Sequence, residues 1–396
     1  MAGYFTTERH ELLREEVRDF AEAEVRPLVA EMEASRTVER ALARQIARQG
    51  WIGVTIGSEY GGMGLGHLAK TVIIEELSRV SGAMGAMVQA SQLGVAKIVH
   101  FGNDAQRKAW LPAIAAGDCL PTIAVTERES GSHVLGMRAT AERDGDGYVL
   151  NGRKLHVGNS HVADLHGVVV RTGEGSKGLS AFLVEADRPG VSLGAHQPAM
   201  GLHGFSFGEV IFDNCRIPVG NRLGAEGDGL AVAYSSSILY GRPNLTAVSL
   251  GIHGALVEET AAFVVGRARL RELGSVKMRM GEMQSRWMTG RLLAYHAVHL
   301  LDQGLSCDAE LQNAKLVNVE SAVESARGAV EIHGAAGLFP DRPIERYFRD
   351  AHHIYAPAGT SDIQRLRLAE TVLGTSKGQW SERFGRSPAR AGSAAG

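Results

Sequence analysis

Cysteine is scarce in this sequence of 396 residues. Cys119, Cys215 and Cys307 are an odd, widely spaced trio, without the paired spacing of a zinc site or of a disulfide framework. We therefore expect three reduced thiols and no metal site.

An excess of one charge is also missing. The chain has 42 basic and 44 acidic side chains, a net charge of -2, which gives no general attraction to nucleic acid or to an anionic membrane. Long apolar runs are absent as well, and the stretch from Met1 to Glu16 becomes charged almost at once, unlike a signal peptide or a membrane span. We predict no nucleic-acid partner, no membrane partner and a cytoplasmic location.

The order of secondary structure is helical, then β, then helical. Apolar residues at helical spacing predict a long amphipathic helix from Glu8 to about Glu33, whereas short β-branched segments bounded by turn residues begin near Leu120. Long helical patterns return after Leu230. The fold class is α+β, with an all-α domain over 1–120, an antiparallel β-barrel-like domain over 121–228, a four-helix bundle over 229–378 and a flexible tail over 379–396.

Two glycine-containing segments need separate interpretation. The glycine-rich stretch from Glu59 to Gly66 follows no β-rich segment, so it predicts a turn and not a dinucleotide-binding loop. Asn151-Gly152 separates two β patterns and predicts a hairpin turn, because type I′ turns favour this dipeptide.

The landmarks from residue 10 to residue 376 closely resemble those of the acyl-CoA dehydrogenase family. The resemblance is carried, in family order, by Ala124-Val125-Thr126-Glu127 with Gly131-Ser132, Lys154 to Asn159, Gly241-Arg242-Pro243, Ile332-His333-Gly334, Pro343-Ile344-Glu345-Arg346, Phe348-Arg349-Asp350, and Gly359-Thr360 to Arg365. It implies an acyl-CoA dehydrogenase-like fold, FAD, a thioester substrate and a homotetramer.

The same resemblance implies a set of site residues. Those next to the cofactor are Val125, Thr126, Ser132, His156, Val157, Gly158, Gly334, Gly359 and Thr360. Either Arg269 or Arg271 would reach the pyrophosphate of a neighbouring subunit's FAD, where an arginine suits the charge and geometry, although a solvated helix face explains them equally well. Ser132 and Arg242 would lie on the substrate side.

The sequence departs from the family at the catalytic base. Most members carry a glutamate directly before the Gly-Thr pair, and an ungapped count places Ala358 there. Other members carry it before the arginine that matches Arg242, but Gly241 occupies that place. A positioned base contributes about 10² to 10⁴ in rate, so ordinary dehydrogenation requires a substitute.

Three nearby side chains could replace the carboxylate: His352, His353 and Tyr355. A histidine can act as a base near neutral pH, and a packed or surface imidazole is the alternative interpretation. The strand that faces the flavin also differs, because His156 and Gly158 stand where the family has tryptophan and threonine.

The leading hypothesis is an FAD-dependent oxidoreductase acting on a CoA-bound or carrier-protein-bound acyl thioester with non-standard proton chemistry. Its electron acceptor would be an electron-transfer flavoprotein or oxygen. The alternatives are a flavin-dependent monooxygenase or oxidase of the same fold and a non-catalytic thioester-binding homologue.

Overall fold

The structure is a computed structural model that describes residues 3–376 and 378–384. Its N-terminal part is helical. The helices are α1 (Glu8–Phe20), α2 (Val29–Ser35), α3 (Arg40–Ala47), α4 (Gly66–Val80), α5 (Gly82–Phe101) and α6 (Asp104–Ala115). Helices α4 and α5 bury most of their residues, which explains why they are apolar on nearly every face.

The predicted helix from Glu8 to Glu33 is interrupted. A π-helical turn covers Ala21–Val25 and a 3₁₀ turn covers Arg26–Leu28, because a proline in the second of these turns has no N–H to continue the α-helical ladder. The glycine-rich stretch after Ser58 is a turn, as predicted.

The middle of the chain forms one eight-stranded sheet. The strands are β1 (Pro121–Ala124), β2 (Thr140–Asp144), β3 (Gly147–Gly158), β4 (Leu165–Arg171), β5 (Leu179–Glu185), β6 (Val191–Leu193), β7 (Phe207–Pro218) and β8 (Arg222–Leu223). Their order is β6-β7-β3-β2-β4-β5-β8, and β1 pairs with β4. Most pairs are antiparallel, whereas β1 runs parallel to β4. The sheet places the end of β1 beside β3.

The predicted hairpin at Asn151-Gly152 is wrong. Strand β3 runs straight through this dipeptide, and its pairing with β7 shifts register between Leu150 and Gly152. Gly152 has φ +140° at the register shift, so the dipeptide forms a bulge, and a positive φ favours glycine in a bulge as it does in a tight turn. The actual hairpin turn precedes β3 and contains Gly145, with φ +59°.

The C-terminal part is again helical. Its helices are α7 (Gly229–Ser235), α8 (Arg242–Val265), α9 (Ala268–Glu272), α10 (Gly274–Asp302), α11 (Asp308–His333), α12 (Ile344–His353), α13 (Ser361–Val372) and α14 (Trp380–Phe384), with a π-helical turn at Ser236–Gly241. Helices α8, α10 and α11 pack together, α4 joins them from the N-terminal part, and α13 packs on α11. The helix–sheet–helix order confirms the predicted fold class.

Residues 379–384, which belong to the predicted flexible tail, make contacts with the helical part. The backbone N–H groups of Trp380 and Ser381 both donate to the Asp308 carboxylate at 2.8 Å, and the Cys307 N–H donates to the Ser381 hydroxyl at 2.9 Å. These bonds, with the Trp380 ring stacked on Tyr234 at 6.0 Å, hold the segment. Residues 385–396 lie outside the described part of the chain.

One continuous helical stretch, Gly229–Val265, is long and apolar enough to cross a membrane, but 72% of its most apolar window is buried inside the molecule. Its apolar surface is therefore used in packing. The three cysteines are buried free thiols, as predicted.

Candidate active site

A fully buried lysine fixes the segment that follows β1. The Lys154 ammonium donates to Glu127 Oε1 at 2.7 Å and to the Val125 carbonyl at 3.1 Å. The Glu127 carboxylate also accepts from the backbone N–H groups of Arg138 and Ala139. Burial lowers the pKa of Lys154 to about 8 despite this carboxylate. The ion pair of Lys154 with Glu127, in a low-dielectric interior, therefore holds the segment in place.

Thr126 is attached to the neighbouring strand. Its carbonyl accepts from the Leu155 N–H at 2.8 Å, so Val125 and Thr126, both half-buried, lie against the part of β3 that contains His156. Ser132 is exposed. The structure therefore joins two of the sequence-predicted segments, 125–126 and 156–158.

His156 occupies a bulge. The pairing of β3 with β7 shifts between Lys154 and Val157, and His156 has φ +54°, a left-handed conformation that is uncommon outside glycine. Its side chain is exposed, whereas Val157 is buried in the sheet core. The bulge thus turns the imidazole outward, and only a backbone contribution to a cofactor site fits Val157.

Gly158 is tightly enclosed. A Cβ added there would lie 2.9 Å from the Ala90 Cβ and 3.1 Å from the Phe205 ring. The Gly158 carbonyl accepts from the Thr122 hydroxyl at 2.6 Å. Phe205 therefore occupies the volume that a larger side chain at residue 158 would need.

One aromatic ring, that of Phe207, connects the two domains at this point. His156 stacks on it with centroids 5.4 Å apart, and His353 meets it at 5.6 Å in a T-shaped contact. His353 comes from α12, so the structure brings together two histidines that are 197 positions apart in the sequence. Burial lowers the pKa of His353 to about 4, which keeps this imidazole neutral at pH 7.

The other two candidate bases have different surroundings. The His352 Nδ1–H donates to the Phe348 carbonyl at 2.7 Å, and its ring packs on Phe348 with centroids 4.3 Å apart. The Tyr355 hydroxyl donates to Glu320 at 3.3 Å. Both are occupied by local contacts, and only His353 contacts the Phe207 ring.

The segment from Tyr355 to Gly359 has a special backbone. Ala358 and Gly359 have φ of +55° and +93°. The Gln364 amide donates to the carbonyls of both at 3.1 Å, and the Lys315 ammonium donates to the carbonyls of Tyr355 and Gly359 at 2.7 and 2.8 Å. Such strained residues persist because the surroundings hold them, and they cluster at functional sites.

Gly241 directly faces Ala358. It ends the π-helical turn that precedes α8, and a Cβ built on it would lie 3.3 Å from the Ala358 Cβ and 3.6 Å from the Leu93 side chain. Gly241 and Ala358, 117 residues apart in sequence, thus form one small surface, the Ala358 wall. Neither residue supplies a functional group to it.

Arg242 lies beneath this wall and not on its surface. Only 4% of the residue is exposed, its Nε donates to Gln364 Oε1 at 2.8 Å, and its buried Nη1 has no hydrogen-bond partner among residues 3–376 and 378–384. Burial lowers its pKa to about 10. Arg242 thus makes a supporting contact to the loop, and its place on the substrate side stays a prediction.

Three predicted cofactor contacts lie elsewhere. Arg269 and Arg271 are exposed on α9, beyond the far end of α8, which at 1.5 Å per residue is about 35 Å from Arg242. Gly334, with φ +58°, follows the end of α11, about 27 Å along that helix from Lys315. Thr360 caps α13 by accepting from the Ile363 N–H at 3.4 Å.

The sequence-based reasoning missed Phe205, Phe207, Lys315 and Gln364. One signal was available for Lys315, because it falls on the same face of α11 as the buried residues Leu311 and Asn318, and a lysine on a buried helix face needs a polar partner. Nothing in the local sequence distinguishes Phe207 from an ordinary strand residue.

Comparison with known proteins places this geometry in context. Residues 7–118, 122–215 and 227–373 match the N-terminal, middle and C-terminal domains of acyl-CoA dehydrogenase. An acyl-CoA dehydrogenase of Bacillus subtilis (strain 168) is 34% identical over 375 residues, which cover 93% of this chain and 99% of the relative.

Solved structures agree over nearly the whole length. Butyryl-CoA dehydrogenase from Megasphaera elsdenii has a TM-score of 0.90 and 26% identity, covering 93% of this chain and 99% of its own. The prolyl acyl carrier protein oxidase AnaB has a TM-score of 0.86 and 27% identity, with coverages of 93% and 99%. PigA, solved with FAD and proline, has a TM-score of 0.89 and 26% identity, with coverages of 94% and 100%. Together the matches indicate a flavin cofactor.

Proposed function

The chain belongs to the acyl-CoA dehydrogenase family and is an oxidoreductase, and we propose that it uses FAD to oxidise an acyl thioester without the carboxylate base of its relatives. The observation that carries the proposal is the contact between Gly241 and Ala358, because both places where the family carries a glutamate coincide on one wall and neither has a carboxylate. The group that accepts the proton must therefore differ from the glutamate of the relatives.

The residues around this wall fit a flavin. Val125 and Thr126 are fixed by hydrogen bonds to β3, and the His156 bulge and the half-buried Phe207 ring give flat surfaces at the domain junction. These residues, together with Gly359 and Thr360, would hold the ring system. A bound flavin would supply the hydride acceptor, and PigA in complex with FAD supports this choice of cofactor.

His353 is the side chain best suited to accept the proton. The backbone of Gly201 favours a proton on one of the His353 ring nitrogens, so the other ring nitrogen of the neutral imidazole is an acceptor. With a pKa of about 4, it is a weak base, better matched to a proton on oxygen or nitrogen than to one on an α-carbon.

We therefore favour oxidation at a carbon that bears a hydroxyl or amino group. The hydride would leave that carbon, the proton would leave the heteroatom for His353, and a C=O or C=N bond would form. The carrier would be CoA or a carrier protein, because the structurally similar proteins include a butyryl-CoA dehydrogenase and a prolyl acyl carrier protein oxidase. The electron acceptor would be an electron-transfer flavoprotein or oxygen.

A homotetramer is part of the proposal. Arg269, Arg271 and Gly334 lie too far along their helices to reach a flavin at Ala358 of the same chain, so they would serve a neighbouring subunit. Helix α13 leaves an apolar surface for such contacts, because Leu366, Val372 and Leu373 are 60%, 86% and 73% exposed. Light scattering of the purified protein tests this part, and a monomer contradicts it.

The test of the reaction is optical. The purified protein is loaded with FAD, and its absorbance is followed anaerobically while saturated, 2-hydroxy and 2-amino acyl thioesters are added one at a time. We expect the flavin to bleach with a hydroxy or amino substrate and not with the saturated chain. Failure to retain FAD, or no bleaching with any thioester, overturns the proposal.

The same preparation separates the alternatives. Oxygen uptake after supplying reduced flavin, with oxygen incorporated into the product, identifies a monooxygenase. Tight thioester binding without any electron transfer identifies a non-catalytic homologue.

A further inference from the structure

Two buried cations support the Ala358 wall. Lys315 is fully buried and gives two of its three N–H groups to the carbonyls of Tyr355 and Gly359. The Arg242 guanidinium reaches the same loop through Gln364 and keeps one buried nitrogen, Nη1, without a partner. Neither cation makes an ion pair with any residue that the structure describes.

The carboxylates of this region are already engaged. Asp308 accepts from the backbone N–H groups of Trp380 and Ser381. Glu320 accepts from Arg365 at 2.5 Å and from the Tyr355 hydroxyl. Both carboxylates attract Arg242 or Lys315 without pairing with them. With Arg365, three cations therefore face two carboxylates beside a wall that lacks its own, and burying a cation without a contacting anion is costly.

The Ala358 wall lacks a carboxylate that a glutamate would place there. Beyond the Cβ of residue 358, a glutamate would add one methylene and one carboxylate. Ala358 is half-buried and Gly241 is buried, and both present only carbon to the site. The surplus positive charge of the buried cations therefore lies next to the place where the family's carboxylate is missing, and a carboxylate is the group that would balance it.

We propose that the substrate brings this anion: a short acyl thioester with a carboxylate one or two carbons from the thioester carbonyl, bound with that carboxylate against Ala358 and Gly241 and attracted by Arg242 and Lys315. The inference rests on the proposed function and narrows its substrate to malonyl- and succinyl-type thioesters that carry a hydroxyl or amino group at the oxidised carbon. The alternative source of negative charge is the cofactor itself. In that case the affinity for a thioester would not depend on a carboxylate in its acyl group.

The test measures binding and not turnover. Isothermal titration calorimetry of the FAD-loaded protein compares malonyl- with propionyl-pantetheine and succinyl- with butyryl-pantetheine, two pairs that differ only by a carboxylate in place of a methyl group. A charge-assisted contact predicts that the carboxylated member of at least one pair binds about tenfold or more tightly. Ala358→Glu should abolish this preference because its own carboxylate occupies the place.

Ala358→Gln is the matched control, because it adds the same volume without the charge. We expect it to weaken both members of a pair similarly and to keep more of the carboxylate preference than Ala358→Glu does. Equal affinities within each pair in the unsubstituted protein overturn the inference, and so does a preference that survives Ala358→Glu unchanged. Flavin bleaching by an uncharged hydroxyacyl thioester would then still uphold the proposed oxidation, whereas failure of every thioester to bind overturns both.

Discussion

Gly241 and Ala358 face each other so closely that a Cβ added to the glycine would lie 3.3 Å from the alanine methyl group. A side chain at either position therefore limits the side chain at the other. Because Gly241 has none, the space in front of Ala358 is open to a longer residue, and substitution at 358 is the more informative change.

Ala358→Glu should create or raise ordinary α,β-dehydrogenation of saturated acyl thioesters. The gain should be partial, because Gly158 and Phe205 leave no room for the family's hydroxyl, and the native activity should fall, since a buried anion near the flavin disfavours developing negative charge. Enoyl product is measured against an artificial electron acceptor at matched flavin content, with Ala358→Gln as control. Normal binding of flavin and substrate without any enoyl product would show that residue 358 does not face the thioester α-carbon.

His353→Gln should reduce kcat/KM by about 10² to 10⁴, the usual contribution of a positioned base. The neighbouring His352→Gln is the matched control and should change it less than about threefold, because that imidazole is bonded within its own helix. With a His353 pKa of about 4, the activity of the unsubstituted protein should stay flat from pH 8 to pH 6 and decline only as pH approaches 4. Equal losses in the two variants would remove His353 from the proposed role.

Acid should destabilise the fold through buried histidines. Burial lowers the pKa of His166 to about 4 and that of His253 to about 3, below the ordinary value near 6.5. Their stabilising contribution is full above pH 6.5 and is lost as pH falls towards these folded-state values, because the unfolded chain binds the proton first. Each should cost about 2 kcal/mol between pH 7 and pH 5.

Urea unfolding at the two pH values checks this expectation. His166→Leu should flatten the pH dependence by about 2 kcal/mol, whereas substitution of the exposed His133 should leave it unchanged. The same slope in both variants would show that His166 does not stay neutral in the folded protein.

Lys154→Met should destabilise the protein by about 3–5 kcal/mol, the usual cost of removing one partner of a buried ion pair. It should also lower flavin retention, because Lys154 holds the Val125 carbonyl and Glu127. Arg153→Met, next in sequence but with 68% of its side chain exposed, should cost less than about 0.5 kcal/mol. Chemical denaturation and bound-flavin absorbance measure the two effects, and similar losses in both variants would refute a special role for the buried lysine.

The fold was largely predictable because helical and strand periodicities are local properties of the chain. The errors arose where two structures use the same local signal. Gly152 can supply a positive φ to a turn or to a bulge, and only the pairing of β3 with β7 decides between them. The contact of the polar segment around Ser381 with Asp308, more than 70 residues earlier, is likewise not visible in the local sequence.

The site was predictable only as far as its residues are adjacent in sequence. The motif around Gly359 located Ala358, yet the proximity of Ala358 to Gly241 depends on how α8 meets the loop before α13. The meeting of His156 and His353 at Phe207 likewise depends on the packing of two domains. Such contacts are set by tertiary structure, and no spacing rule encodes them.

The length of α8 has a genetic consequence. Arg242 and the arginines of α9 lie at opposite ends of helix α8, about 35 Å apart, so a substitution at one end leaves the other end unchanged. In the homotetramer that we propose, a subunit altered at Arg242 and a subunit altered at Arg269 and Arg271 would together form one complete site. Two inactive alleles expressed in the same cell would then complement each other, although neither allele functions alone.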